Sequence, residues 1–397
     1  MKKRHPLLAA IALMLVASAL TCFVIAVTFG RELGFFTERY DAIREYASLL
    51  SKIDEYYIGE YDETDITVAA NNAAVDALGD RWSFYLTPDE YARYLDSTGN
   101  RFTGIGVTAV IDEATGGMLI ESVYRGSAAE NGGLAPGDVI TDVDGTSIKG
   151  LEFDEMRARL ARPVGDSITL TVLRPNGDVA SLEVIYSIVY VDPVSYEMLD
   201  GGIGYIQLEN FESGSARSFI AAVNDLVIQG AGALIFDVRG NGGGKVHEMT
   251  GILDHLLPEG EIFIAVDRSG KEEITTSDPN MVDLPSVVLV DKYSYSAAEY
   301  FAATLKEYGY ATIVGGRTTG KDRSQVTIDL YGGGALHISS GKFLTRNRVS
   351  LYETGGLVPD HEIELTDDEM RLLVAGRLDK DSDPQLKLAL GLLGAGS

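Results

Sequence analysis

This chain of 397 residues contains a single cysteine, Cys22. One cysteine cannot form a disulfide within the chain, so packing must stabilise the fold. The five histidines form no pattern that indicates a catalytic base, and the sequence predicts no bound metal or cofactor. Lysine and arginine together number 33 against 59 aspartates and glutamates, which gives a net charge of −26. Such a charge repels phosphates and excludes nucleic acid as a partner.

Charged residues are also missing from a long stretch near the start, Leu7 to Gly30, which follows a basic cluster at residues 2–4. At ~1.5 Å per helical residue, this stretch is long enough to cross a hydrocarbon layer of ~30 Å. The basic cluster predicts that the start stays in the cytoplasm and that the rest of the chain lies outside. Residues 1–35 are therefore interpreted as a basic end with a single-pass membrane anchor. The alternative is a cleaved signal peptide, because Ala17-Ser18-Ala19 resembles a cleavage site.

The whole chain is 45% apolar, and it is long enough for two or three domains. Residues 36–100 predict helices, and Thr87 with Pro88 predicts the start of one of them. Residues 101–188 predict a β-rich module with one helix at Leu151–Leu160. Residues 189–397 alternate strands with helices, which predicts an α/β core. Amphipathic helices near both ends of the chain could pair in a homodimer. The predicted strands of the module are Gly106–Ile111, Met118–Val123, Val139–Val143, Ser167–Leu173 and Val179–Val184.

The most informative pair of residues is Ser296, at the predicted start of a helix, and Lys321, on a Gly/Thr loop that follows the strand Ala311–Gly315. A serine at a helix start lies beside free backbone N–H groups, which suit a developing oxyanion. A lysine can replace histidine as the base of such a serine. The simpler interpretation of Ser296 is that it only caps the helix.

Nucleotide binding is a further alternative for Lys321. Gly315-x-x-x-x-Gly320-Lys321 matches a phosphate-binding loop except that Asp322 replaces the final Ser or Thr. A phosphate-binding loop must open a helix, whereas Ser324–Tyr331 alternates like a strand. The pattern therefore disfavours this alternative.

A glycine-rich loop, Gly240 to Lys245, follows the apolar strand at residues 233–239. Glycines at a strand end let the backbone approach another group closely and expose N–H donors. The alternative is a flexible turn. Beside Ser296, the N–H groups of Gly243 and Ala297 are the predicted oxyanion donors.

Together these residues resemble the carboxy-terminal processing (tail-specific) serine peptidase family. The resemblance lies in Asp237-x-Arg239-x-Asn241-x-Gly243-Gly244, Ser296-x-x-Glu299, Lys321, Gln325, residues 356–360 and residues 80–88. It implies a crotonase/ClpP-like α/β core with an inserted β-rich PDZ domain. It also implies that Ser296 is the nucleophile, Lys321 the general base and Gln325 the residue that orients the lysine.

The resemblance extends to the β-rich module. Residues 102–107 are similar to the carboxylate-binding loop of PDZ domains, and residues 133–140 to another PDZ signature. Adjacent N–H groups in such a loop can hold a terminal carboxylate while the peptide adds a strand to the sheet. The predicted substrate-binding residues are Gly104, Ile105, Gly106 and Val107. A PDZ-like module with a degenerate groove is the alternative.

We therefore expect an extracytoplasmic, membrane-anchored serine endopeptidase that acts on proteins with free C-termini. Its lysine must be neutral to accept a proton, so we expect the carboxylates of Glu299 and Asp322 to point away from the Lys321 amine. The alternative from another functional class is a non-catalytic, membrane-anchored PDZ adaptor on an inactive peptidase scaffold.

Overall fold

The structure is a computed structural model that describes the backbone of residues 6–394 and the side chains of residues 14–23 and 39–394. It divides into two compact units, Met1–Ala69 and Ala70–Ser397. Within the described residues, no helix is both long and apolar enough to span a membrane. Most of the predicted anchor, residues 7–13 and 24–30, lies outside the residues whose side chains are described.

Ten helices occur in the described part of the chain. They are α1 (Pro6–Tyr56), α2 (Glu63–Asp76), α3 (Pro88–Ser97), α4 (Ala128–Asn131), α5 (Phe153–Leu160), α6 (Ser215–Ile228), α7 (Val246–Leu256), α8 (Ala297–Glu307), α9 (Asp367–Val374) and α10 (Pro384–Leu392). The sequence-based prediction for Thr87 is confirmed, because its side chain accepts from Glu90 N while Glu90 accepts from Thr87 N. Helix α9 was not predicted.

Nineteen strands accompany them in the same part of the chain. They are β1 (Phe84–Leu86), β2 (Arg101–Gly104), β3 (Val107–Ile111), β4 (Met118–Val123), β5 (Val139–Val143), β6 (Thr146–Ser147), β7 (Ser167–Leu173), β8 (Val179–Ile185), β9 (Ser187–Tyr190), β10 (Val194–Leu199), β11 (Ile203–Leu208), β12 (Ala233–Asp237), β13 (Gly260–Asp267), β14 (Glu272–Ser277), β15 (Ser286–Val290), β16 (Ala311–Gly315), β17 (Arg323–Asp329), β18 (Ala335–Leu344) and β19 (His361–Glu362).

The α/β core is built on a six-stranded sheet with the order β10-β11-β12-β15-β16-β19. Strand β10 is antiparallel to β11, and the other neighbours are parallel. Strands β12 and β15 are buried along their whole length. One face of the sheet packs on α6, α7 and α8, and the other packs on α10. Parallel strands need such cover on both faces, which explains their nearly continuous apolar sequences.

A second sheet of the core centres on β18, which pairs antiparallel with β1, β13 and β17. Strand β17 begins directly after the loop that carries Lys321. The phosphate-binding alternative required a helix at this position, so the structure contradicts it.

The β-rich module forms a sheet in the order β3-β4-β5-β7-β8, with β6 paired to β5. Its own apolar core includes Ile120, Ile140, Leu170 and, from α5, Met156, all fully buried. A separate two-stranded sheet, β2 with β9, lies at the start and end of the module. The module thus buries its own hydrophobic cluster, distinct from that of the α/β core.

Candidate active site

Three loops of the α/β core meet at one edge of the central sheet. Strands β12, β15 and β16 are parallel neighbours, so their carboxyl ends lie side by side. The glycine loop follows β12, the turn to Ser296 follows β15, and the loop to Lys321 follows β16. This topology brings together residues that are far apart in the sequence, as crevices at strand ends do in other α/β sheets.

Ser296 lies at the strand-to-helix turn in an unusual backbone conformation. Its φ of 58° and ψ of −124° are rare for a residue with a side chain. Such a conformation costs about 1–3 kcal/mol and persists only where the surroundings enforce it. A strained strand-to-helix turn is also how other hydrolase folds present a nucleophilic serine. The surroundings of Ser296 therefore enforce a strained backbone conformation that a helix cap alone does not need.

Glu299, in the first turn of α8, links Ser296 to the loop that carries Lys321. Its Oε2 accepts from the backbone N–H groups of Ser296 (2.9 Å) and Lys321 (2.8 Å). Its Oε1 accepts from Gly320 N (2.6 Å) and from the Thr318 hydroxyl (2.5 Å). Burial raises the pKa of Glu299 above its usual value, although these four hydrogen bonds act to lower it. One carboxylate oxygen thus holds the backbones of Ser296 and Lys321 next to each other.

The Lys321 side chain lies against aromatic rings. Its Nζ is 4.4 Å from the ring centroid of Trp82 and 5.8 Å from that of Tyr295. Among the described residues, no hydrogen bond or ion pair to this Nζ is seen, and none joins it to Ser296 Oγ. Burial lowers the pKa of Lys321 to about 8, Asp80 and Glu299 act to raise it, and Arg81 acts to lower it.

The connector at residues 80–86 supplies the ring on which Lys321 lies. The Asp80 carboxylate accepts from Trp82 N (3.2 Å) and from the Ser83 hydroxyl (2.6 Å), which fixes the turn. The Arg81 guanidinium lies 4.1 Å from the Trp82 ring centroid. Sequence reasoning identified this connector only as a family motif. Nothing in the sequence alone indicates that its tryptophan contacts a lysine so distant along the chain.

Gln325 is not brought to the Lys321 amine. It lies on β17 opposite Ser339 of β18, and its amide donates to Ser339 Oγ (3.2 Å) and to the Arg323 carbonyl (3.1 Å). The expected hydrogen bond to Lys321 is absent, and the side-chain nitrogen of Gln325 is engaged by Ser339 and Arg323 instead. Asp322 points away from Lys321, as expected: its buried carboxylate accepts from the Ser350 hydroxyl at 2.6 Å.

The two predicted oxyanion donors differ in their surroundings. Ala297 N lies in the first turn of α8, where an N–H has no acceptor within the helix. Gly243 N instead donates to Asn241 Oδ1 (2.8 Å), because the asparagine side chain folds back on its own loop. Gly243 nevertheless lies against the serine: a Cβ added there would be 2.9 Å from Ser296 Cβ. In this structure the Gly243 N–H is therefore engaged by Asn241, and its role as an oxyanion donor stays a prediction.

A buried network fixes the strand end that precedes the glycine loop. Arg239 donates to Asp237 (2.6 Å) and to Gln385 (3.0 Å), and it pairs with Asp383 at 2.8 Å. The hydroxyl of Tyr205 donates to Asp237 at 2.6 Å. Because Asp383 and Gln385 belong to the start of α10, the last helix is connected to the site.

The β-rich module contains a groove of about 880 Å³. Residues 104–107 line one side, and Ile105 and Gly106 lie between strands β2 and β3, outside both ladders. The groove is otherwise apolar at Met118, Phe153, Leu160 and Tyr186, and helix α3 contributes Arg93, Asp96 and Ser97. The four predicted substrate-binding residues are thus together, in a groove that also has a wall from outside the module.

Comparisons with known proteins agree with this arrangement. Residues 202–363 match the model of peptidase family S41, and residues 119–174 match a PDZ domain model. The carboxyl-terminal-processing protease of Synechocystis is 29% identical over 336 residues, which cover 83% of this chain and 77% of the relative. The carboxy-terminal processing protease CtpA of Bacillus subtilis is 28% identical over 357 residues, 89% of this chain and 75% of the relative.

A solved structure supports the fold. A Bacteroides fragilis protein described as an S41 protease superposes with a TM-score of 0.54 at 18% identity, over 86% of this chain and 93% of that protein. The chain is therefore a serine-type peptidase of family S41 that carries a PDZ domain and is related to the carboxy-terminal processing proteases.

Proposed function

We propose that this chain is an endopeptidase in which Ser296 is the nucleophile and Lys321 the general base. The observation that supports this most is the shared Oε2 of Glu299, which holds the two backbones together. The second support is the burial that lowers the pKa of Lys321 to about 8. A lysine with an ordinary pKa would almost never be neutral at pH 7, whereas this lysine is neutral about a tenth of the time.

In the proposed reaction, Lys321 Nζ turns from the Trp82 ring towards Ser296 Oγ and takes its proton. The oxygen then attacks the carbonyl carbon of the substrate, and the carbonyl oxygen becomes negatively charged. Lys321 returns the proton to the departing amine, which leaves an acyl-enzyme, and water then hydrolyses this ester. Catalytic hydrogen bonds are often long without substrate, so the separation of Lys321 Nζ and Ser296 Oγ does not exclude this role.

The negatively charged oxygen requires hydrogen-bond donors. Ala297 N is free to donate and points from the start of α8. Gly243 N would contribute only when its hydrogen bond to Asn241 is shared or broken. Gln325 is assigned to orienting Lys321, whose amine would donate to the Gln325 amide oxygen, since the hydrogen bonds seen to this side chain use its nitrogen.

The PDZ groove would capture the substrate by its C-terminal tail. Its loop offers backbone N–H groups to a terminal carboxylate, and its apolar lining suits an apolar last residue. Cleavage would then occur upstream of the captured tail. We place the catalytic part outside the cytoplasm, on the basis of the uncharged stretch Leu7–Gly30 and the basic residues before it.

The test compares the full-length protein with Ser296→Ala and Lys321→Ala variants on an unfolded protein that ends in apolar residues. Both variants should lose at least ~10³-fold in kcat. Amidating the substrate's C-terminus should raise KM, since it removes the carboxylate. Equal cleavage by all three proteins would refute the assignment.

One observation favours a non-catalytic adaptor: in this structure Lys321 lies on Trp82 and the Gly243 N–H is occupied. An adaptor would bind C-terminal tails tightly without turnover. Binding measured beside the cleavage assay separates the two functions.

A further inference from the structure

A second cavity of about 880 Å³ lies at the same edge of the central sheet as Ser296, and nothing above assigns it a role. Its walls include Glu209, Asp291, Tyr293 and Tyr295 from the strand ends, and Met370 and Leu373 from α9. Tyr295, which lines the cavity, directly precedes Ser296 in the chain, so the cavity wall and the proposed nucleophile belong to the same turn. We infer that this cavity is a substrate subsite that takes a basic side chain, lysine or arginine. The inference rests on the proposed peptidase function.

The charges in the cavity that have no partner are negative. Glu209 makes no side-chain hydrogen bond or ion pair with the described residues. Asp291 is only 2% exposed, and its Oδ2 has no hydrogen-bond partner in the described part of the chain. Its Oδ1 already accepts from Gly240 N (3.0 Å) and Tyr293 N (2.9 Å), which fixes the side chain. A buried carboxylate oxygen without a partner is costly, and a cation bound in the cavity beside it would offset its negative charge through space, without direct contact.

The positive charges that line the cavity are already engaged. Arg239 is held by Asp237, Asp383 and Gln385. Arg371 pairs with the exposed Asp368 at 3.1 Å. The lining therefore offers an unpaired negative potential, which selects against acidic substrate side chains and for basic ones.

The remaining lining suits the long stem of such a side chain. Tyr293, Tyr295, Met370 and Leu373 present aromatic and apolar surface, against which methylene groups can pack. Cations are attracted to the faces of tyrosine rings. Lys292, outside the lining, already lies over the Tyr293 ring at 5.2 Å and is a positive charge beside the cavity.

The test uses the full-length protein and pairs of peptides that share one apolar C-terminal tail, so that capture by the PDZ groove stays constant. Each pair differs only in carrying lysine or norleucine at one of the three positions on either side of the cleaved bond. At one position, kcat/KM for the lysine peptide should exceed that for the norleucine peptide by about tenfold, as expected for one partly buried ion pair.

Variants then connect the preference to the cavity. Glu209→Gln should reduce the lysine preference at that position several-fold, and Asp291→Asn should do the same while its amide oxygen keeps the backbone hydrogen bonds. Glu209→Lys should make a glutamate peptide better than the lysine peptide. The matched control is Glu273→Gln, an exposed glutamate on β14 outside the cavity lining, which should leave the preference unchanged.

Equal kcat/KM for lysine and norleucine at every position would overturn the subsite and leave the peptidase assignment intact. The subsite would also be overturned by a lysine preference that stays unchanged in all three variants, Glu209→Gln, Asp291→Asn and Glu209→Lys. If no peptide is cleaved, the proposed function fails. The dissociation constants of the same peptide pairs then decide whether the cavity binds a basic side chain. Tighter binding of a lysine peptide that Glu209→Gln weakens would support it, and equal binding throughout would overturn it.

Discussion

The pH dependence of cleavage should report the protonation of Lys321. Its pKa of about 8 implies that about a tenth of the molecules carry a neutral lysine at pH 7 and about nine tenths at pH 9. If the neutral amine is the base, kcat/KM should rise about tenfold between these pH values and then level off. An exposed lysine with a pKa near its usual ~10.4 would give a profile that still rises steeply at pH 9.

Two charge-removing variants should move this profile in opposite directions. The Asp80 carboxylate favours the protonated lysine, so Asp80→Asn should lower the pKa of Lys321 and shift the rise to lower pH. The Arg81 guanidinium disfavours the protonated lysine, so Arg81→Gln should raise the pKa of Lys321 and shift the rise in kcat/KM to higher pH. The asparagine oxygen can still accept from Trp82 N, and its NH2 group can donate to the Ser83 hydroxyl in place of the lost acceptor, which limits structural side effects.

The assay is kcat/KM at constant ionic strength from pH 6 to pH 10, with a peptide that has no group titrating in this range other than its constant tail. His337 should not disturb the profile, because burial, with a smaller contribution from the Lys321 charge, lowers its pKa to about 4. Asp89→Asn, an exposed carboxylate at the start of α3, is the control and should leave the profile in place. A profile whose rise begins only above pH 10, or a shift of the same sign in both charge variants, would refute the role of Lys321 as a desolvated base.

Two further predictions concern stability, and a third compares the activity of two glycine variants. Lys321→Met should raise the free energy of unfolding at pH 7 by up to ~3 kcal/mol. The pKa of Lys321 is lower in the folded than in the unfolded chain, so the unfolded chain binds more protons. The wild type therefore gains stability as pH rises from about 8 towards 10.5. Urea unfolding should show a smaller difference in the free energy of unfolding between wild type and Lys321→Met at pH 9 than at pH 7. Ser296→Gly should be about 1 kcal/mol more stable than Ser296→Ala in the same assay, since glycine relieves the strain of φ 58°; equal stability would contradict that strain. Gly243→Ala should lower activity at least ~100-fold because the added Cβ meets Ser296. Gly240→Ala, with φ 71° and open space around the added Cβ, should cost only about 1 kcal/mol of stability. Similar activity in both variants would contradict the close approach of Gly243 to Ser296.

Local patterns predicted the elements whose hydrophobic pattern is regular and whose ends carry turn residues. Strands β4, β5 and β7 match their predicted bounds, because alternation or a short apolar run ends at clear turn residues on both sides. Strand β18 was not predicted, since polar residues and Gly341 interrupt its pattern. It is stabilised by pairing with β1, β13 and β17, which are distant partners that no short window of sequence contains.

The same limit applies to the candidate site. Ser296 and Lys321 could be selected from spacing, because a helix start and a loop after a buried strand both leave local signals. The contacts of their side chains could not, since Trp82 reaches Lys321 only through the β1–β18 pairing. Gln325 and the Gly243 N–H were matched to roles by motif, whereas their hydrogen bonds depend on Ser339 and Asn241.

The site must reconcile a buried carboxylate with a lysine that has to lose its proton. Glu299 lies close enough to raise the pKa of Lys321, yet all four of its hydrogen bonds come from backbone N–H groups and one hydroxyl. Its negative charge is therefore compensated by dipoles and not by the ammonium, which lies on an aromatic ring instead. A ring attracts the charged amine less strongly than an ion pair would, and it releases a neutral amine at little cost. The carboxylate thus positions the two backbones while the burial of the amine keeps its pKa low, and both requirements of a serine–lysine site are met by separate groups.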